Sequence, residues 1–136
     1  MQKSIDKIYY AAIYLRLSKE DGDLSSGEKK ESNSIANQRK LIEDYLSRNP
    51  EITLVQEFCD DGYTGANFDR PDFQRMMEQV KTGKINCIIV KDLSRFGRDY
   101  IDSGRYIEKI FPSLGIRFIA INDNYDSAQS QQAGNE

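Results

Sequence analysis

Apolar runs alternate along this chain with segments of helical periodicity, and polar loops separate them. Residues Ile8 to Leu17 are rich in aromatic and branched side chains and short enough for a strand buried on both faces. Lys19 to Asn33 follows, with Gly22, Gly27, three serines and mixed charge but no period, and reads as a mobile loop. From Ser34 the residues Ile35, Leu41, Ile42, Tyr45 and Leu46 recur at helical spacing. Ser32, Asn33 or Ser34 is available as N-cap, and Asn49-Pro50 as the stop. Ile52 to Phe58 alternates as a second strand, and Asp60 to Gly65 is rich in turn formers.

Pro71 stands where a proline opens a helix, with Phe73, Met76, Met77 and Val80 on one face until Gly83 ends it. Ile85 to Val90 is the third strand. A loop carrying Lys91, Arg95, Gly97 and Arg98 leads into a helix with Tyr106, Ile107, Ile110 and Phe111 inward, closed by Pro112 and Gly115. Ile116 to Ile121 is the fourth strand. Strand and helix alternate throughout, which predicts a single three-layer α/β domain. Its core is a mostly parallel four-stranded sheet with helices on both faces. In such a sheet the ligand site lies beyond the carboxyl ends of the strands, where Ser18, the Asp60 to Arg70 loop and the Lys91 to Arg98 loop all emerge.

Composition narrows the class. With 136 residues, 38% hydrophobic and 30% charged, the chain suits one globular domain, and no apolar run approaches the ~20 residues a bilayer span needs. The N-terminus lacks the apolar core of a signal peptide, and Cys59 and Cys87 have no metal or redox spacing, so the expected location is the cytoplasm. The net charge of -3 is unevenly spread: residues 122–136 hold three acids and no Lys or Arg, leaving 19 basic and 19 acidic residues before them. A neutral body can place a local arginine cluster on a phosphate, but counterion release alone would not hold it firmly to a nucleic acid. Asp126 to Glu136 has no core-forming residues and reads as a flexible terminus.

Candidate chemistry centres on Tyr14-Leu15-Arg16-Leu17-Ser18. In an extended strand Tyr14, Arg16 and Ser18 share one face, opposite Ile13, Leu15 and Leu17. A serine after a strand is ordinarily a cap or turn residue, and an arginine there ordinarily pairs with a carboxylate. As a nucleophile Ser18 cannot use a Ser-His couple, because the chain has no histidine. Arginines offer another route. Arg95 and Arg98, three apart, share a face if the loop turns helical, and cations at a helix start are better explained by an anion bound there than as a solvated pair. Arg70, just before a helix, is a third guanidinium. Asp60 and Asp61 point opposite ways on extended backbone, so a turn or cap role suits at least one better than Mg²⁺ binding. Lys91-Asp92-Leu93 is faintly like a kinase catalytic loop, but no glycine-rich phosphate loop or Asp-Phe-Gly triplet accompanies it. Arginines around a hydroxyl suit in-line attack on a phosphodiester, their charge neutralising the equatorial oxygens with no metal required.

These motifs, in this order over residues 8 to 121, resemble the catalytic domain of serine recombinases, the resolvase/invertase family, most closely its large transposon-type branch. Tyr14 to Ser18 is similar to the family's Tyr-x-Arg-x-Ser signature, Phe58 to Gly65 with Phe68 to Pro71 to its large-branch loop, and Ile88 to Asp99 to its Leu-Asp-Arg-x-x-Arg block. The resemblance implies a resolvase-like fold and site-specific DNA recombination. Ser18 would form a 5′-phosphoserine intermediate, Arg16, Arg70, Arg95 and Arg98 would grip the scissile phosphate, Gln38 would be the active-site glutamine, and Tyr14 and Asp61 would organise the site. It implies no cofactor, metal or ATP. It also implies double-stranded DNA at specific sites as substrate and a homodimer that assembles into a synaptic homotetramer, in a bacterial, DNA-associated setting.

Two departures stand out. Small relatives carry aspartate immediately before the first arginine of that block, where this chain has Ser94. Family members also continue into a long helix and DNA-binding region. The expected organisation is therefore a catalytic domain over 1–121 and a polar tail over 122–136 leading to parts absent from this sequence. The residues leave a second reading open, a catalytically silent α/β module that holds a nucleotide or phosphorylated partner.

Overall fold

Strand β1 (Tyr9–Leu17) is the axis of a computed structural model that describes residues 8–17, 34–61, 71–93 and 104–128. Strands β2 (Ile52–Asp61) and β3 (Cys87–Val90) flank β1, both parallel to it. Strand β4 (Arg117–Ala120) extends the parallel array beyond β3, and β5 (Tyr125–Asp126) closes it antiparallel, in the order β2-β1-β3-β4-β5. The first four are the strands expected from the apolar runs. The fifth lies in the stretch after Ile121 that reads as polar tail, and its direction follows from its connection. A 3-10 turn, Ile121–Asp123, and left-handed Asn124 (φ 54) reverse the chain at once, whereas a parallel return needs a long crossover. Asparagine is among the few residues that tolerate that backbone conformation.

Both faces of the sheet are covered. Ala11, Ile13 and Leu15, with Cys87, Ile89 and Ile119, meet helix α1 (Ile35–Ser47) through buried Ile42. Ala12 and Tyr14, with Ile88, Val90, Phe118 and Ala120, meet helix α2 (Pro71–Lys81) through Phe73, Met76, Met77 and Val80. The alternation of side chains along β1 sorts it into two cores, so the strand is buried on both faces as its composition predicts. Of the three caps available to α1, Ser34 is the one used: its side chain accepts the Asn37 N–H at 3.1 Å. Helix α2 ends where expected, at left-handed Gly83, with the Lys84 N–H reaching back to Gln79 and the Gly83 N–H to Val80.

Two expectations are corrected. Asp60 and Asp61 belong to β2 and not to a turn, because β1 runs on far enough to pair with them, Arg16 opposite Asp60 and Leu17 opposite Asp61. A sheet partner outweighs the turn preference of a local sequence. Pro112 also fails to close its helix. The backbone widens into a π-helical turn, Tyr106–Ile110, with the Phe111 N–H bonded to the Tyr106 carbonyl, and then runs on as helix α3 (Phe111–Leu114) to left-handed Gly115. Pro112 sits in the first turn of α3, where its missing N–H costs nothing. The wider turn places Tyr106 edge-on to Phe73 at 5.4 Å between ring centroids. Aromatic contacts then run on through Phe111 and Phe118 to Tyr125 in β5.

Ion pairs fasten the periphery. Arg39 of α1 grips Glu57 of β2 in two hydrogen bonds of 2.8 and 2.7 Å. Arg117 of β4 grips Asp126 of β5 in two more, of 2.9 and 2.6 Å, and stacks on the Tyr9 ring at 4.8 Å. Among the described residues no helix is long and apolar enough to cross a membrane.

Candidate active site

Parallel strands leave a sheet from one edge, so the ends of β1, β2 and β3 at Leu17, Asp61 and Val90 define where the following segments begin. Ser18, Arg70, Arg95 and Arg98 fall in those segments and lie outside the described residues, as does the whole Lys19 to Asn33 loop. Tyr14, Arg16 and Gln38 are described in full, and Asp61 by its backbone.

The last residues of β1 are fixed through their backbone. β3 pairs with β1 only as far as Ile13 opposite Ile89, and beyond that point β1 has no neighbouring strand on that side among the described residues. Tyr10 shows which groups face it: its N–H donates to the Asn86 side chain and its carbonyl accepts the Asn86 N–H, just ahead of β3. Even-numbered residues of β1 therefore turn N–H and C=O toward β3, and those of Arg16 would be left without a strand partner. Gln38 supplies one. Its Oε1 accepts the Arg16 N–H at 3.3 Å and its Nε2 donates to the Arg16 carbonyl at 3.0 Å, with Gln38 itself wholly buried. One primary amide thus replaces one residue of an absent strand, two positions before Ser18.

The side chains on the α2 face form a second lock. Tyr14 is wholly buried, and its hydroxyl donates to Asp60 Oδ2 at 2.8 Å. The same carboxylate accepts the N–H of Asp72 at Oδ1 and of Phe73 at Oδ2, both at 3.0 Å. These are two of the donors that the first turn of a helix cannot satisfy internally, and Pro71 has none to offer. Asp60 therefore caps α2 from the neighbouring strand, adding a negative charge at the positive end of the helix. Asp72 returns the bond, its Oδ2 accepting the Cys59 N–H at 2.9 Å, and also pairs with Arg75. Through these bonds Asp60, at the start of the connection that ends in Arg70, is tied to the residues just after Arg70.

Arg16 stands beside Asp60 in the β1–β2 register and is 6% exposed, so its charge is held at the edge under the α2 face and not in open solvent. A guanidinium held at such a place keeps its charge and its planar fork of donors near the end of the strand. Cys87 lies in the opposite core, where burial pushes its thiol up to about 12. Among the described residues no group of three His, Cys, Asp or Glu side chains is placed to hold a metal.

The arrangement brings Tyr14, Arg16 and Gln38 together around the end of β1. It gives the cap role anticipated for one aspartate of the pair to Asp60, which sequence reasoning left without a part in the site. The available signal was Pro71: a helix that opens on proline needs an acceptor, and an aspartate at a strand end nearby can provide it. For Gln38 the signal is a polar residue inside an apolar stripe, three after Ile35 and four before Ile42.

The family model described as the N-terminal domain of resolvase matches residues 11–134. Among solved structures, the N-terminal catalytic domain of TP901-1 integrase is similar with a TM-score of 0.71 at 24% identity, over 88% of this chain and 82% of that one. A resolvase family site-specific recombinase from Streptococcus pneumoniae is similar with a TM-score of 0.70 at 29% identity, over 90% and 77%. The C-terminal catalytic domain of ISC1926 TnpA, an IS607-like serine recombinase, gives a TM-score of 0.61 at 21% identity, over 82% and 68%. No curated protein sequence matches the chain.

Proposed function

Because this chain belongs to the resolvase family of serine recombinases, whose work is site-specific DNA recombination, we propose that Ser18 is its nucleophile. The Ser18 oxygen attacks a DNA phosphorus in line, a P–O bond to serine forms, and the P–O3′ bond breaks. The serine proton is lost as the nucleophile forms, and the departing 3′ oxygen takes one up. The products are a 5′-phosphoserine link and a free 3′-hydroxyl. A phosphodiester replaces a phosphodiester, so the reverse attack by a 3′-hydroxyl from the partner duplex rejoins the strands without ATP.

Arg16, Arg70, Arg95 and Arg98 bear on the non-bridging oxygens and neutralise charge that grows on them in the transition state. Tyr14, Gln38 and Asp61 organise the residues around the nucleophile. The substrate is double-stranded DNA at specific sites, and the acting form is a homodimer that pairs into a tetramer. The observation that carries this reading is buried Arg16, its backbone fixed by Gln38, two residues before Ser18 on a strand that ends at Leu17.

The test uses the full-length protein and a duplex selected by binding from a random-sequence pool. Wild type is expected to give a protein–DNA adduct that survives denaturant, and Ser18→Ala none. Persistence of the adduct in Ser18→Ala would remove Ser18 from the mechanism.

A further inference from the structure

The segment that leaves β3 is held by the turn that follows its neighbour β4 and leads into β5. The Lys91 carbonyl accepts the Asn122 N–H at 2.8 Å, and the Leu93 N–H donates to Asp123 Oδ2 at 2.7 Å. These two bonds run in opposite senses between residues about thirty apart in sequence, so they fix both the position and the direction of the backbone at 91–93. The second is short, and its acceptor is a carboxylate oxygen.

The turn that presents Asp123 is itself secured at both ends. Its own bond runs from the Asn124 N–H to the Ile121 carbonyl at 3.1 Å, and Asn124 reverses the chain into β5. β5 is then fastened to β4 by the Arg117–Asp126 pair, and the Ser127 hydroxyl accepts the Phe118 N–H at 2.9 Å. On the other side, Leu93 packs against the core that contains Phe73 and Phe111. Leu93 is also two residues before Arg95 and five before Arg98.

We propose that Asp123 is a positioning residue for the recombination reaction. Its carboxylate fixes the Leu93 amide, so that the backbone leading to Arg95 and Arg98 starts from a single origin. The inference rests on the reading of those arginines given above. Its energetic logic is that of preorganisation: order imposed when the chain folds need not be imposed again as the transition state forms, and small errors in the placement of a charged group cost rate. Asp123 acts only through the backbone of Leu93.

The full-length protein on the selected duplex tests this, with Ser18→Ala, Asp123→Ala and Asp123→Asn beside wild type. Adduct formation is followed in single turnover at saturating protein, and affinity by gel shift. Asp123→Ala is expected to form adduct about tenfold more slowly with unchanged affinity. Asp123→Asn keeps an oxygen that accepts the Leu93 N–H and is expected to recover most of the rate. Wild-type speed in Asp123→Ala, equal slowness in Asp123→Asn, or a loss confined to affinity overturns the proposal. Adduct in Ser18→Ala sinks the reading of Ser18 and this inference with it, whereas normal Ser18 behaviour with indifferent Asp123 variants sinks this inference alone. If Asp123→Ala does not fold, hydrogen exchange on wild type decides: the Leu93 amide is expected to be protected, and free exchange there overturns the proposal.

Discussion

The Tyr14 hydroxyl and the Phe73 backbone N–H converge on one oxygen, Asp60 Oδ2, at 2.8 and 3.0 Å. The Tyr14 and Phe73 rings also meet edge to face at 5.6 Å, so the strand that ends before Ser18 and the helix that begins after Arg70 are joined by a carboxylate and by an aromatic contact. Removing the hydroxyl with Tyr14→Phe keeps the ring packing and leaves Asp60 its two helix donors, at an expected loss of about 1 kcal/mol. Asp60→Ala removes the carboxylate that the Tyr14 hydroxyl and two N–H groups share, at an expected ~3 kcal/mol. Urea denaturation of both single variants and the double variant measures this; additive losses would show that the two groups are not coupled.

Gln38→Leu preserves the bulk of the side chain while leaving the N–H and C=O of Arg16 without their partner. Buried backbone groups left unpaired are costly, and the expected loss is ~2 kcal/mol. Adduct formation should fall along with stability, because the same bonds fix the backbone two residues before Ser18. A variant with wild-type stability would mean that solvent or another group satisfies the Arg16 backbone.

At the other end of the sheet, Asp126→Ala leaves the half-buried Arg117 with Glu51 at 4.0 Å as its remaining carboxylate among the described residues. Removing one partner of a part-buried pair is expected to cost about 2 kcal/mol, and here it also frees β5. Replacing both partners with apolar residues of similar size, Arg117→Met with Asp126→Leu, should cost much less. Thermal or urea unfolding of the two variants distinguishes the ion pair from the packing, and a double variant as unstable as Asp126→Ala would overturn this account.

Alkali should weaken the fold before it disrupts any ion pair. Burial raises the Cys87 thiol from its ordinary 9.0 to about 12, so between those values the unfolded chain has released a proton that the folded chain keeps. The unfolded state then binds fewer protons, and stability that is complete below pH 9 declines as the pH rises toward 12. Tyr45 and Tyr125, raised mainly by burial, act in the same direction. Urea midpoints should fall over this range, less steeply in Cys87→Ala. At neutral pH a thiol reagent should label exposed Cys59 and spare buried Cys87 until the chain unfolds.

Most elements are legible in the sequence because they depend on local periodicity. Ile35, Ile42 and Tyr45 mark the inward face of α1, Gly83 has the freedom its left-handed turn needs, and the alternation along β1 predicts two cores. The proposal for Tyr14 to Ser18 also starts from local pattern, an arginine and a hydroxyl two apart at the end of an apolar run. Local pattern cannot state which distant groups will meet. Asp60 reads as a turn former until β1 pairs with it, and Pro112 reads as a stop until the preceding turn widens around it. Gln38 is one polar residue in an apolar stripe until β3 ends its pairing with β1 at Ile13 and the amide meets the Arg16 backbone. Asp123 looks like a tail residue until the chain reverses at Asn124 and brings it to Leu93. The elements and their order could be read from the chain because they follow from side-chain period and backbone preference. Which acceptor holds which donor was decided only by tertiary structure, because buried N–H and C=O groups must be satisfied by whatever residue the fold carries to them.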